Sequence, residues 1–196
     1  MAALELDLAT LTPKQAERRR RVVDAAMKLA SDGGYDAVQM RDVAQEAGVA
    51  LGTIYRYFAS KDHLLAACQV EFARDVQREL AERPSPHASA ADGVVAVLQR
   101  ATRELARDPK LTAAMVTAIS SPDPAVTGCQ REITGIMAAV VAEPMRDLDP
   151  AIRDGVTRAL SHVWFSSLLG WVNGWTGPEA VAAELESAAR LLLRGH

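Results

Sequence analysis

Residues 38–65 read VQMRDVAQEAGVALGTIYRYFASKDHLL. The spacing predicts two short helices, Met40 to Ala47 and Leu51 to Tyr57, joined by Glu46-Ala47-Gly48-Val49 with a glycine at the turn. That is the helix-turn-helix pattern, in which the second helix enters the major groove of DNA. Val43, Ala44, Val49 and Ile54 supply a small apolar core. Ala44 is small where two helices approach closely.

The second of these helices is odd for a purely structural element. Gly52, Thr53, Tyr55, Arg56 and Tyr57 are crowded into it, and glycine inside a helix costs about 1 kcal/mol relative to alanine. Close approach of backbone to a base edge or phosphate would offset that cost. Tyrosine hydroxyls and arginine suit phosphates, whereas threonine and glycine sit against base edges or a thymine methyl. Ser60 caps the next helix, and Lys61 adds a charge beside backbone N–H groups that already favour an anion. The plainer reading is a helical hairpin with aromatics in its core. It accounts for Phe58, but not for turn, aromatics and lysine together.

The flanks extend the same picture. Thr12 and Pro13 mark a helix start, Gly33-Gly34 its stop, and Val22, Ala26, Leu29 and Ala30 fall at helical spacing between them. A long helix follows Ser60 to about Glu82, with Leu64, Leu65, Cys68, Phe72 and Val76 inward. RPSPHASA (Arg83 to Ala90) reads as a connection. Further helices are expected at about 91–107, 109–120, 124–148, 151–173 and 178–194, each beginning at or near a proline, with Pro144 kinking or ending its helix. The fold class is therefore all-α, about nine helices: a three-helix head over 12–62 and a helical body over 63–196.

Composition agrees. Of 196 residues 49% are hydrophobic, dominated by Ala, Leu and Val, and only 5% aromatic, which favours packed helices over sheets. The net charge of −3 hides an asymmetry. Residues 14–61 hold nine basic and six acidic side chains, whereas 62–196 hold 13 basic and 17 acidic. A basic head on an acidic body suits a nucleic-acid-binding module joined to a domain with another task. Cys68 and Cys129 are too few for a disulfide framework and read as small buried hydrophobes. The N-terminal MAALELDLATLTPK lacks the layout of an export signal, and the longest near-apolar stretch, Val163 to Val172, is about half the ~20 residues that span a bilayer. A reduced, cytoplasmic setting is expected.

GTIYRYFASKDHLL, with RRRRVVDAAMKLASDGGYDAVQMRDVAQEAGVA before it, resembles the DNA-binding region of TetR-family transcriptional regulators, over about residues 14–75. The resemblance implies a homodimer that reads palindromic double-stranded operator DNA, with a small-molecule effector bound in the body. Carried over residue by residue, it assigns base or groove contacts to Leu51, Gly52, Thr53 and Tyr55, and phosphate contacts to Arg56, Tyr57 and Lys61. Gln39, Met40 and Arg41, which open the helix before, complete the DNA-binding set that the resemblance implies. Gln39 and Ala50 depart from the family in lacking a capping hydroxyl, worth about 1 kcal/mol each. Within the family, GGYDAVQMRDVAQEAGVALGTIYRYFASKDHLL and VWFSSLLGWV are similar to an actinobacterial repressor of cholesterol catabolism. That implies a steroid or fatty acyl-CoA thioester as effector and a role in steroid or lipid catabolism.

The last two helices are apolar on more than one side and must bury both. Leu160, Val163, Ser167 and Trp171, with Leu185, Ala188, Ala189 and Leu192, form either internal core or a two-fold interface; the resemblance implies the interface. Phe72, Leu98, Met115, Ile119, Ile133, Met137, Trp164 and Leu168 line either a cavity or ordinary core. Arg100, Arg103 and Arg107 share a helix and form either a solvated face or a seat for effector phosphates. No cofactor or metal is expected. GxGxxG, P-loop, HExxH, CxxC and GxSxG are all absent, and His63, His87, His162 and His196 are scattered. These features exclude an enzyme. They leave a regulator, or a ligand-binding protein of the same fold that has lost DNA binding.

Overall fold

Thr12 opens the first helix, α1 (Pro13–Ala37), with a reciprocal cap. Its hydroxyl accepts the Gln15 N–H at 3.4 Å, and the Gln15 side chain accepts the Thr12 N–H at 2.8 Å. The computed structural model describes residues 11–83 and 87–196. Residues 1–10, where an export signal is expected to be absent, and 84–86 of the expected connection lie outside the described residues.

The stop expected at Gly33-Gly34 is a bend instead. Gly34 turns to φ 74°, yet the helix resumes to Ala37. Gly33 makes the bend possible, because a Cβ there would lie 2.4 Å from that of Ala37. Next, α2 (Met40–Glu46) ends in a Schellman motif. Gly48 takes φ 63°, the Val49 N–H reaches the Ala44 carbonyl at 3.0 Å, and the Gly48 N–H reaches that of Gln45 at 3.2 Å. The following helix, α3 (Leu51–Tyr55), is shorter than expected. The N–H groups of Tyr57 and Phe58 both bond to the Ile54 carbonyl, a tightened turn that carries Phe58 into the core. Ser60 then caps α4 (Lys61–Glu82), accepting the His63 N–H at 3.1 Å.

Side-chain caps from Ser89, Asp108 and Asp149 start α5 (Ala90–Ala106), α6 (Pro109–Ile119) and α8 (Pro150–Val172). Between the last two lies α7 (Thr127–Ala142), and α9 (Pro178–Leu192) ends the series. The single helix expected over 124–148 is trimmed at both ends to 3₁₀ turns at Pro124–Val126 and Glu143–Met145. Proline at 144 cannot supply the N–H that a continuing helix needs, as the sequence predicts for that position. Among the described residues there are nine α-helices and no strand, and no helix is long and apolar enough to cross a membrane.

By backbone contacts the chain forms two compact units. One unit joins the described residues up to Glu71 with Asp108–Glu132, and the other holds Phe72–Arg107 and Ile133–His196. In the first, α6 packs on α1, and the Lys110 ammonium donates to the Asp32 carbonyl at 2.8 Å. Val22, Ala26, Ala30, Ile54, Phe58, Leu64, Leu65, Cys68 and Met115 are its buried core, with Leu29 and Val49 half-buried at the margin. In the second, α9 packs on both α5 and α8 over Leu98, Leu105, Leu160, Leu185 and Ala189. Arg190 ties α9 to Asp92 of α5 at 3.1 Å.

Candidate nucleic-acid interface

The start of α2 and the start of α3 frame an open groove of about 470 Å³, lined by Gln39, Met40, Arg41, Asp42, Leu51 and Tyr55. Five of these six are residues to which the sequence assigns DNA contacts. The structure brings them together because the Schellman turn at Gly48 folds α3 back across α2. Gln39 and Ala50 make no side-chain cap, as their chemistry requires; the Gln39 amide donates to the Asp36 carbonyl instead, at 3.0 Å.

Arg41, Gly52, Tyr55 and Arg56 are exposed, with Tyr55 at 52% although it is aromatic. Met40, Leu51, Thr53, Tyr57 and Lys61 are half-buried. Among the described residues, neither Arg41 nor Arg56 has an acidic partner. Their charges are therefore available to an anion, whereas that of Lys28 is taken up by Glu46 at 2.5 Å. A Cβ built on Gly52 meets nothing within 4 Å. The glycine is not demanded by packing within the chain.

The basic run Arg18–Arg21 is only partly available. Arg19 turns inward, pairs with Glu71 at 2.9 Å and stacks 5.4 Å above the Phe58 ring. His63 meets the same ring edge-on at 5.7 Å.

Two residues of this region escape a sequence reading. Asp42 lines the groove, placing an acid among donors; its position in the first turn of α2 is the only signal. Tyr35 lies 3.8 Å from the Lys61 ammonium, ring face inward, and no local pattern links residues so far apart. Burial and the Asp62 carboxylate push the Tyr35 hydroxyl up to about 12, so it stays protonated as a donor.

The remaining assignments fare differently. Of the eight expected at a cavity, Leu98, Met115, Ile119, Trp164 and Leu168 are buried, and Phe72, Ile133 and Met137 half-buried. Met115 and Ile119 belong to the first unit and the other six to the second. Arg100 donates to the Glu79 and Arg83 carbonyls at 3.2 and 3.4 Å, Arg107 pairs with Glu104, and Arg103 opens on the same cleft of about 530 Å³ beside Glu79 and Glu82. That mixture of signs is a solvated face.

Of the eight residues expected at a two-fold interface, four are buried within the chain. Leu160, Leu185 and Ala189 have no exposed surface, and buried Ser167 donates to Glu184 at 2.5 Å. Val163, Trp171 and Ala188 are half-buried, and Leu192 is exposed. The periodicity located an apolar face, and helices of the same chain fill it. Exposed apolar surface lies at Leu192, which belongs to that set, and at Phe165, Trp175 and Leu191, which do not.

Burial pushes the Cys68 thiol far up, and Cys129 is half-buried rather than buried. His162 is exposed, and Asp149 serves as a helix cap.

Comparison with known proteins gives the following likenesses. Residues 22–68 match the family model described as bacterial regulatory proteins, tetR family, and residues 88–192 match the tetracyclin repressor-like C-terminal domain. The HTH-type transcriptional repressor KstR of Rhodococcus jostii (strain RHA1) is 39% identical over 181 residues, covering 91% of this chain and 84% of the relative. The crystal structure of a TetR transcriptional regulator from Rhodococcus sp. RHA1 superposes with a TM-score of 0.82 at 31% identity, covering 93% of this chain and 98% of that one. Thermus thermophilus FadR, a repressor solved with lauroyl-CoA, shares the fold with a TM-score of 0.68 at 24% identity, covering 90% and 94%.

Proposed function

The chain belongs to the tetR family of bacterial regulatory proteins, and from that premise we propose that it is a cytoplasmic homodimeric repressor, released from a palindromic operator by a small apolar or acyl-CoA-type effector. The observation that carries this reading is the groove between α2 and α3, rimmed by Arg41 and Tyr55 and followed by an exposed Arg56 without an acidic partner among the described residues. We assign DNA recognition to 12–62, with Gln39, Met40, Arg41, Leu51, Gly52, Thr53 and Tyr55 at the groove and Arg56, Tyr57 and Lys61 on phosphates. Effector binding and dimerisation fall to 63–196. A protein of this fold without DNA binding has no use for so exposed a tyrosine and so free an arginine.

Two buried groups support an effector site in the body. Among the described residues Thr157 Oγ1 and Trp164 Nε1 have no hydrogen-bond partner, and their separation along α8 puts them two turns apart on one face. Leaving such groups unpaired costs about 1–3 kcal/mol each, and a bound molecule carrying oxygen atoms would satisfy them. Likeness to KstR and to the acyl-CoA-bound FadR favours a bulky acyl or steroid CoA thioester and a role in steroid or lipid catabolism. An effector with higher affinity for the conformer that cannot bind DNA releases it by population shift.

The test is anisotropy of labelled DNA from upstream of the chain's own gene, at fixed salt, titrated with fatty acyl and steroid CoA thioesters. One thioester is expected to release the DNA while free CoA does not. Release by none of them would remove the acyl-CoA reading.

The dimer face is assigned to the exposed edge of α8 and α9, at Phe165, Leu191 and Leu192, with Trp175 in the loop between them, beside half-buried Val163, Trp171 and Ala188. Phe165→Asp combined with Leu191→Asp is expected to yield a folded monomer in sedimentation. An unchanged dimer would put the interface elsewhere.

A further inference from the structure

Lys61 opens α4, and its ammonium is held from two sides by one residue. The Tyr35 ring face lies 3.8 Å from Nζ, and the Tyr35 carbonyl accepts from Nζ at 3.2 Å. Tyr35 is itself anchored, its hydroxyl donating to Asp62 Oδ1. Asp62 Oδ2 accepts the Ser121 hydroxyl at 2.6 Å. Both oxygens of the carboxylate next in sequence to Lys61 are thus turned to hydroxyl groups. Among the described residues Lys61 has no acidic partner.

The kind of partner matters. A carboxylate would fix the ammonium but cancel its charge, as Glu46 does for Lys28 and Glu71 for Arg19. An aromatic face and a neutral carbonyl fix it and leave the full positive charge for an anion. A free lysine has a long flexible stem and a compact, strongly hydrated head, so docking on a phosphate carries the entropic cost of ordering that stem. The Tyr35 contacts remove most of that cost before DNA arrives. We propose that Tyr35 is a positioning residue for DNA binding: it holds the Lys61 ammonium, charge uncancelled, where a backbone phosphate docks. This rests on the reading of Lys61 as a phosphate contact.

The test is a double-mutant cycle on the full chain, by anisotropy with a labelled duplex of mixed sequence, about 30 base pairs long, from about 50 mM salt upward, where phosphate contacts dominate binding. Lys61→Ala is expected to weaken binding and to reduce the steepness of log K against log[salt] by about 0.9 for each phosphate no longer neutralised. Tyr35→Leu is expected to weaken binding about three- to tenfold in the native background, and to add nothing where Lys61→Ala is already present. Tyr35→Phe keeps ring and carbonyl but loses the hydroxyl anchor on Asp62, and is expected to lose less affinity than Tyr35→Leu. Thermal unfolding of each variant separates weaker docking from loss of fold.

Equal losses from Tyr35→Leu in both backgrounds would make its role structural and overturn the proposal. No loss in the native background would do the same, because Lys61 would then find its phosphate unaided. Both outcomes leave Lys61 a phosphate contact. Unchanged affinity and salt dependence in Lys61→Ala, or no binding by the native chain, would overturn the proposal together with the reading beneath it.

Discussion

Phe58→Ala is expected to destabilise the head by about 3–5 kcal/mol, and to lower its melting temperature by about 10 °C or more. The ring is 1% exposed and is shared by several neighbours. The Arg19 guanidinium lies over its face, His63 meets it edge-on, and the Tyr57 ring is tilted 6.3 Å away. Truncation removes the largest buried side chain of the region and leaves a cavity. It also strips Arg19 of the surface that keeps it inward. Because the turn after α3 ends on this residue, the end of α3 loses its anchor in the core and DNA binding is expected to fail with stability. Urea unfolding followed by circular dichroism checks this. A loss below about 1 kcal/mol would mean that Phe58 is not a core anchor.

Gly52→Ala is expected to move stability and function in opposite directions. Alanine is favoured over glycine in a helix by up to about 1 kcal/mol, and the new Cβ meets nothing within 4 Å. The variant is therefore expected to be at least as stable as the native chain. If the space beside Gly52 is where DNA approaches the backbone, affinity for a cognate duplex falls about tenfold or more, a cost of about 1.4 kcal/mol. Unfolding and anisotropy on the same preparations decide it. A more stable variant that binds DNA as tightly would show that Gly52 has no part in close approach.

What the sequence made legible is what local chemistry controls. Thr12 and Ser60 cap helices as their positions predict, since a short polar side chain before a helix has few other uses. The Gly48 turn was legible for the same reason, and with it the groove that α2 and α3 form. The end of α3 was not, because burial of Phe58 tightens the last turn beyond what helical periodicity predicts. Nor could periodicity say what covers an apolar face. Leu160, Leu185 and Ala189 repeat at helical spacing whether the chain or a second copy buries them, and the chain does. Tyr35 was invisible because its contact with Lys61 depends on how α1 lies against α4. The aromatic, arginine and glycine residues of α3 were readable as a site because their exposure contradicts their cost in an ordinary helix.

The most direct measurement on the central claim is selection of bound duplexes by the full chain from a random-sequence library, followed by sequencing. Enrichment of a two-fold symmetric sequence, with half-sites about 34–36 Å apart centre to centre, is the predicted result. Replacing Thr53 with alanine is expected to shift the bases preferred within each half-site. A library that stays unenriched after successive rounds, or that yields an asymmetric site indifferent to Thr53, would contradict recognition of a palindrome by paired α3 helices.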